Sequence, residues 1–256
     1  MKITKALMPF LTYGDPTPAL SLVAIEACLK AGADVIEVGV PFSDPVADGP
    51  TIQASHQRAL AETPDLSVQD VIKGISPLVT KYGKPIFLML SVNLINHMGS
   101  EVFFKQLEKG GVSGAIIPDL LMEESAEYRK WAKKTGRVIA DFITPVTPPT
   151  RIQKIVAQSN GFIYLIASTG ITGVRDRVDQ SLKSITKTIR AVKNVPIAVG
   201  FGISTPEHVT SVLEFADGAI VGSALVAQLA QAGRSKSAIQ STMSQAIKNL
   251  KGLSPE

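Results

Sequence analysis

Eight short apolar runs, rich in valine and isoleucine and distributed along the whole chain, constrain its fold more than any other feature. In order they are ALMPFLT (6–12), DVIEVGV (34–40), PIFLMLS (85–91), GAIIPD (114–119), VIADFIT (138–144), FIYLIAS (162–168), PIAVGFG (196–202) and DGAIVGS (217–223). Short runs that are apolar almost throughout predict strands buried on both faces, which a parallel sheet requires. The stretches between them carry helical periodicity. Residues 19–32 repeat apolar positions at helical spacing and stop at a glycine. Residues 67–83 start at Ser67 and stop at Gly83, and Pro77 is expected to kink the helix between them. Residues 147–158 and 205–216 each open on Thr-Pro, a favourable first turn.

Eight alternating strand and helix units within 256 residues predict a (β/α)8 TIM barrel, with a doubly wound open sheet as the alternative. No linker or composition shift divides residues 1–256, so one domain is expected. Hydrophobic residues at 45% and charged residues at 19% describe a chain with a well-filled core. The net charge of +4 is scattered, and aromatics at 5% offer little for base stacking, which disfavours a nucleic-acid partner and suits a small anion. The single cysteine, Cys28, cannot form an internal disulfide. The opening residues MKITKALMPF contain no signal-like apolar run, and no segment approaches the roughly 20 apolar residues of a membrane span. A cytoplasmic protein without membrane contact is the expectation.

A barrel of this kind holds its chemistry where the strands end and the βα loops begin. Glycine-rich turns follow the last three runs: STGITGVR (168–175), GFGIST (200–205) and VGSALV (221–226). Glycine lets a backbone approach an oxyanion, and a helix N-terminus aims free N–H groups at it. Three such turns at adjacent strand ends favour a phosphate site over three unrelated tight turns.

Glu37 stands inside an apolar run, where an ionised carboxylate is costly unless it is paired or its pKa rises. It reads either as a proton donor or as a core glutamate satisfied by a partner. Asp48 follows eleven residues later in a loop stiffened by Pro41, Pro45 and Pro50. Asp-Gly alone is only a turn dipeptide, and nothing local separates Asp48 from Asp44. Asp119 closes the fourth run as a further acid. His56, His97 and His208 lack ligand spacing, so no metal site is expected. Ser43, Ser168 and Ser223 have no evident histidine partner for nucleophilic catalysis. Tyr164 is core unless it points into the barrel.

Taken together, PFSDPVADGPTIQ (41–53), EES (123–125), STGITG (168–173), GFGIS (200–204) and GSALV (222–226) resemble the tryptophan synthase alpha chain family along the whole chain. The resemblance implies retro-aldol cleavage of indole-3-glycerol phosphate to indole and glyceraldehyde 3-phosphate, with no cofactor in this chain. It assigns acid–base catalysis to Glu37 and stabilisation of the indole N–H to Asp48. It places phosphate binding at Gly173, Gly202, Gly222 and Ser223. Tyr164 and Phe201 would line the indole pocket, and Thr172 would belong to a closing loop. The implied partner is a pyridoxal-phosphate-dependent beta chain in an αββα tetramer, docked on Pro41, Phe42, Asp44, Asn93 and the turn after Asp119.

The pattern departs from the family in three places. Five residues precede the first run, where the family usually has a helix plugging the barrel base. LMLSVN (88–93) replaces a stretch that commonly carries tyrosine, and Ser168 stands where some members have arginine. Two other readings compete: an alpha-like chain that only activates its beta chain, and another sugar-phosphate-binding barrel.

Overall fold

A computed structural model describes residues 3–45, 48–167, 175–200 and 202–253, with the backbone alone over 175–179. The strands are β1 (Ala6–Thr12), β2 (Ile36–Gly39), β3 (Ile86–Met89), β4 (Gly114–Ile116), β5 (Val138–Ile143), β6 (Ile163–Ile166), β7 (Ile197–Gly200) and β8 (Gly218–Val221). Each pairs in parallel with the next, and β8 returns to β1, which closes the barrel and excludes the open doubly wound sheet. The helices are α1 (Pro18–Lys30), α2 (Pro50–Glu62), α3 (Val68–Tyr82), α4 (Val92–Met98), α5 (Ser100–Lys109) and α6 (Ala126–Lys134). They continue with α7 (Pro149–Gln158), α8 (Arg175–Val192), α9 (Pro206–Leu213), α10 (Ser223–Ala232) and α11 (Lys236–Leu250). Among the described residues no helix is long and apolar enough to cross a membrane.

Local signals set the helix ends. Thr17 accepts from the Leu20 N–H at 3.1 Å to cap α1. Ser67 and Asp70 form a reciprocal capping box on α3, and Gly83 ends it in the left-handed conformation. The helix runs unbroken through Pro77. The Thr-Pro expectation holds at Thr205, whose hydroxyl caps α9, but not at Thr147. There the cap position is Pro148, because the Thr147 hydroxyl is taken by the Thr144 N–H at 3.0 Å.

Strand residues alternate between two buried environments. Leu7, Ile36, Val38, Leu88, Leu165 and Val199 face outward and pack beneath the helices. Met8, Val35, Phe87, Phe162, Tyr164 and Ile220 belong to a second cluster that fills the barrel interior. This double burial explains why the strands read as continuous apolar runs. Phe87 and Phe162 meet edge to face inside, with centroids 5.3 Å apart. Ile3 is 4% exposed and joins Ala6 and Met8 in this interior cluster, so side chains fill the barrel's N-terminal end. Room for the inner aromatics comes partly from glycine. A Cβ at Gly200 would lie 2.5 Å from the Tyr164 hydroxyl.

Phe162 has no exposed surface and packs against both Phe87 and Tyr164. Phe162→Ala is therefore expected to cost about 3–5 kcal/mol of stability, measured as a shift of the urea unfolding midpoint.

Candidate active site

Parallel register places Glu37 beside Phe10 on β1 and Phe87 on β3. Phe87 and Val35, two residues before Glu37, both belong to the interior cluster, so the Glu37 side chain faces into the barrel. It has no exposed surface, and neither carboxyl oxygen has a hydrogen-bond partner among the described residues. Burial pushes its pKa well above the ordinary glutamate value. Among the described residues no side chain satisfies it as a core glutamate would be satisfied. Gly39, the next inward position on β2, leaves the space above the carboxyl free of a side chain of its own. The Phe10 ring occupies that space, 2.5 Å from where a Gly39 Cβ would stand.

Above this layer a cavity of about 380 Å³ opens at the strand ends. Its wall brings together five of the residues singled out in the sequence: Asp48, Tyr164, Gly202, Gly222 and Ser223. Asp48 hangs at the end of the β2–α2 loop, where its N–H donates to the Pro45 carbonyl at 3.0 Å and its carbonyl accepts from Gln53 at 2.8 Å. Burial pushes its pKa up to about 6. Tyr164 stacks on Phe142 with centroids 4.8 Å apart. Burial, followed by the charges of Glu37 and Asp48, raises its pKa well above the usual value.

On the opposite wall α10 starts directly after Gly222. The Leu225 and Val226 N–H groups already donate to the Gly222 carbonyl, which leaves the first-turn N–H groups of Ser223 and Ala224 without an intrahelical acceptor, and Ser223 lines the cavity. Gly202 has φ +78°, a conformation that favours glycine on backbone grounds. Gly222 does not. Among the described residues the nearest atoms to a Cβ there belong to Ile52 and Phe10, at ordinary distances of 3.5 Å or more, so their packing does not demand glycine.

The remaining predicted residues are distributed as follows. Gly173, Thr172, Ser168 and Phe201 lie outside the described residues. Phe42, Asp44 and Asp119 line a smaller cavity of about 50 Å³, which shares Phe10, Asp48 and Met89 with the larger one. Asp44 and Asn93 are exposed and Phe42 is half-buried, whereas Pro41 is buried and has little side-chain surface for a partner. The structure separates Asp44 from Asp48: Asp44 accepts from Ser43 in solvent, while Asp48 reaches the cavity. Asp119 is engaged at the start of α4, with Oδ2 accepting from Ser91 at 2.6 Å and Oδ1 from the Val92 N–H at 2.8 Å. That cap leaves it poorly placed as an acid.

His56, which the sequence reads only as lacking ligand spacing, is a neighbour of the site. His56 is buried on α2 with its Nε2 3.5 Å from Asp48 Oδ2. The available signal was helical phase, since Ile52, Ser55, His56 and Ala59 fall on one stripe and a polar ring on a buried stripe needs partners.

Fold and site define a (β/α)8 barrel with two perturbed carboxylates and a helix N-terminus grouped at its C-terminal mouth. The family model for the tryptophan synthase alpha chain matches residues 1–254, and the chain belongs to that family. The tryptophan synthase alpha chain of Geobacter sulfurreducens is 40% identical over 251 residues, covering 96% of this chain and 94% of that one. That of a Cyanothece species is 43% identical over 227 residues, covering 88% and 84%. A substituted tryptophan synthase alpha-subunit from Pyrococcus furiosus superposes with a TM-score of 0.88 at 32% identity, covering 99% of this chain and all of that one. The chain therefore takes the alpha-subunit role in tryptophan synthesis, a lyase-type role.

Because folding encloses Glu37 in its protonated form, stability is expected to depend on pH with a definite sign. Below the unfolded-state pKa of about 4.3 both states are protonated and no penalty exists. As pH rises, the unfolded chain releases this proton and the folded chain keeps it, so stability falls. Glu37→Gln should remove that slope. Its melting temperature should match wild type near pH 4 and exceed it near pH 8, by about 2–4 °C for each kcal/mol relieved. Calorimetry at the two pH values checks this.

Proposed function

We propose that this chain cleaves indole-3-glycerol phosphate to indole and glyceraldehyde 3-phosphate, and that the indole passes to a pyridoxal-phosphate-dependent beta chain. The observation that carries the reading is the fully buried Glu37 carboxyl, unpartnered among the described residues, in the layer below a cavity lined by Asp48, Gly222 and Ser223. Family membership supports it.

The chemistry asks for one proton in and one proton out. Protonation of indole C3 makes the ring an electron sink, the C3–C1′ bond breaks into it, and the C1′ hydroxyl loses its proton as the aldehyde forms. A carboxyl kept protonated by burial supplies the first proton and, once ionised, accepts the second. Glu37 is this group. Gly39 leaves a route from it to the mouth once the Phe10 ring yields. Asp48, ionised above about pH 6, accepts the indole N–H and stabilises the positive charge that C3 protonation places on the ring.

The phosphate lies against the first turn of α10. Gly222, which packing against the described residues does not require, lets the dianion approach the free N–H groups there. Gly202 and Ser223 complete that wall. Tyr164, stacked on Phe142, supplies a flat apolar surface for the indole. Phe42 and Asp44, on the loop after β2, and Asn93, in the first turn of α4, form the docking side for the beta chain.

Glu37→Gln should lower indole release by at least about 10²-fold with beta-chain activation intact, and Asp48→Asn by a similar factor. Both are measured as indole formation with and without a beta chain. Near-normal turnover by Glu37→Gln would overturn the assigned chemistry. A wild-type chain that releases no indole yet still activates the beta chain would establish the non-catalytic role instead.

A further inference from the structure

We propose that His56 is a positioning residue, joining the backbone at Phe42 to the carboxylate of Asp48 and holding that acid at the edge of the larger cavity. The proposal rests on the cleavage reading for its kinetic consequence, but not for its geometry.

The proton assignment follows from one hydrogen bond. The Phe42 N–H donates to His56 Nδ1 at 3.0 Å, so Nδ1 carries a lone pair. A neutral imidazole must then hold its proton on Nε2. That nitrogen is buried, has no hydrogen-bond partner among the described residues, and points at Asp48 Oδ2 from 3.5 Å. Burial lowers the His56 pKa to about 4, against a smaller opposing effect from Asp15, so the ring is neutral near pH 7. The contact is therefore a neutral donor facing a carboxylate, not an ion pair. Its length is that of catalytic contacts in unliganded enzymes, which shorten when the site fills.

The charges around the ring are accounted for. Asp48 faces it from the β2–α2 loop. Asp15 approaches from the β1–α1 loop, but both its oxygens accept from Arg58, at 2.8 and 2.7 Å. Asp48 is thus the carboxylate that Nε2 can serve. Phe42 and Asp48 belong to the same loop, and His56 stands on the helix that follows it. One ring therefore ties both parts of the loop to α2, whose placement is fixed independently by Ser55 on Thr12 at 2.6 Å. His56 borders the smaller cavity and not the larger one, so it acts through Asp48 rather than on substrate.

Three substitutions separate the two ends of the tie. His56→Asn keeps an acceptor where Nδ1 stood and loses the donor toward Asp48. His56→Gln keeps a donor where Nε2 stood and loses the acceptor for Phe42. His56→Ala loses both. In the alpha–beta complex, kcat for indole-3-glycerol phosphate should fall about tenfold in His56→Asn and His56→Ala, the effect of one hydrogen bond to a charged group, while KM changes little. His56→Gln should recover most of that loss although its melting temperature also drops. Equal kcat in His56→Asn and wild type would overturn the proposal, as would equal losses in the Asn and Gln variants.

A second measurement needs no turnover. Nitrogen NMR of the His56 ring should show a protonated Nε2 and a bare Nδ1. Carbon NMR should show the Asp48 carboxyl titrating at higher pH in His56→Asn than in wild type. A protonated Nδ1, or an unmoved Asp48 titration, would refute the tie whether or not the chain cleaves this substrate.

Discussion

An ionisable group enclosed without a partner organises this structure. Glu37 lies in the closed interior of a parallel barrel, between Phe10 and Phe87, with neither oxygen hydrogen-bonded to a described residue. An unpaired charge there would be costly, so the group holds its proton. A scaffold that closes on itself and fills its interior maintains such a state, and the complete β1–β8 ring does so. The aromatic layer of Phe87, Phe162, Phe142 and Tyr164 keeps the surroundings apolar. The two acids then differ by position alone: Glu37 lies within the packed layer, and Asp48 lies at its edge, where burial is incomplete.

That difference in position divides the labour of the mouth. In the proposed cleavage the lower layer supplies the proton, the upper cavity takes the substrate, and the β2–α2 loop connects them. Helix α2 is held by unlike contacts, a hydroxyl pair of Ser55 with Thr12 on β1 and a guanidinium at Arg58 on Asp15 of the β1–α1 loop, and its His56 ring reaches the β2–α2 loop. Each reaches a different segment of the β1 and β2 ends. The loop's prolines stiffen it from within, and the His56 ring fixes it from without.

Much of this was legible in the sequence, for identifiable reasons. Strand positions followed from double burial, which leaves an apolar run that no amphipathic element imitates. Glu37 stood out because its neighbours were apolar, and the glycines because they clustered at strand ends. His56 was missed since its meaning depends on a partner eight residues away across a loop and a backbone N–H fourteen residues away. Asp44 and Asp48 could not be separated because their difference is exposure, a property of the folded loop. Thr147 failed as a cap because a second threonine three residues earlier competed for its hydroxyl.

The enclosed carboxyl has a consequence for how this chain comes into being. An unfolded chain in neutral solution carries Glu37 as an anion, and the finished barrel holds it as a neutral acid wherever the pH lies between the two pKa values. Assembly of the fold is then also a reaction with the solvent, in which a hydron is taken from water or buffer.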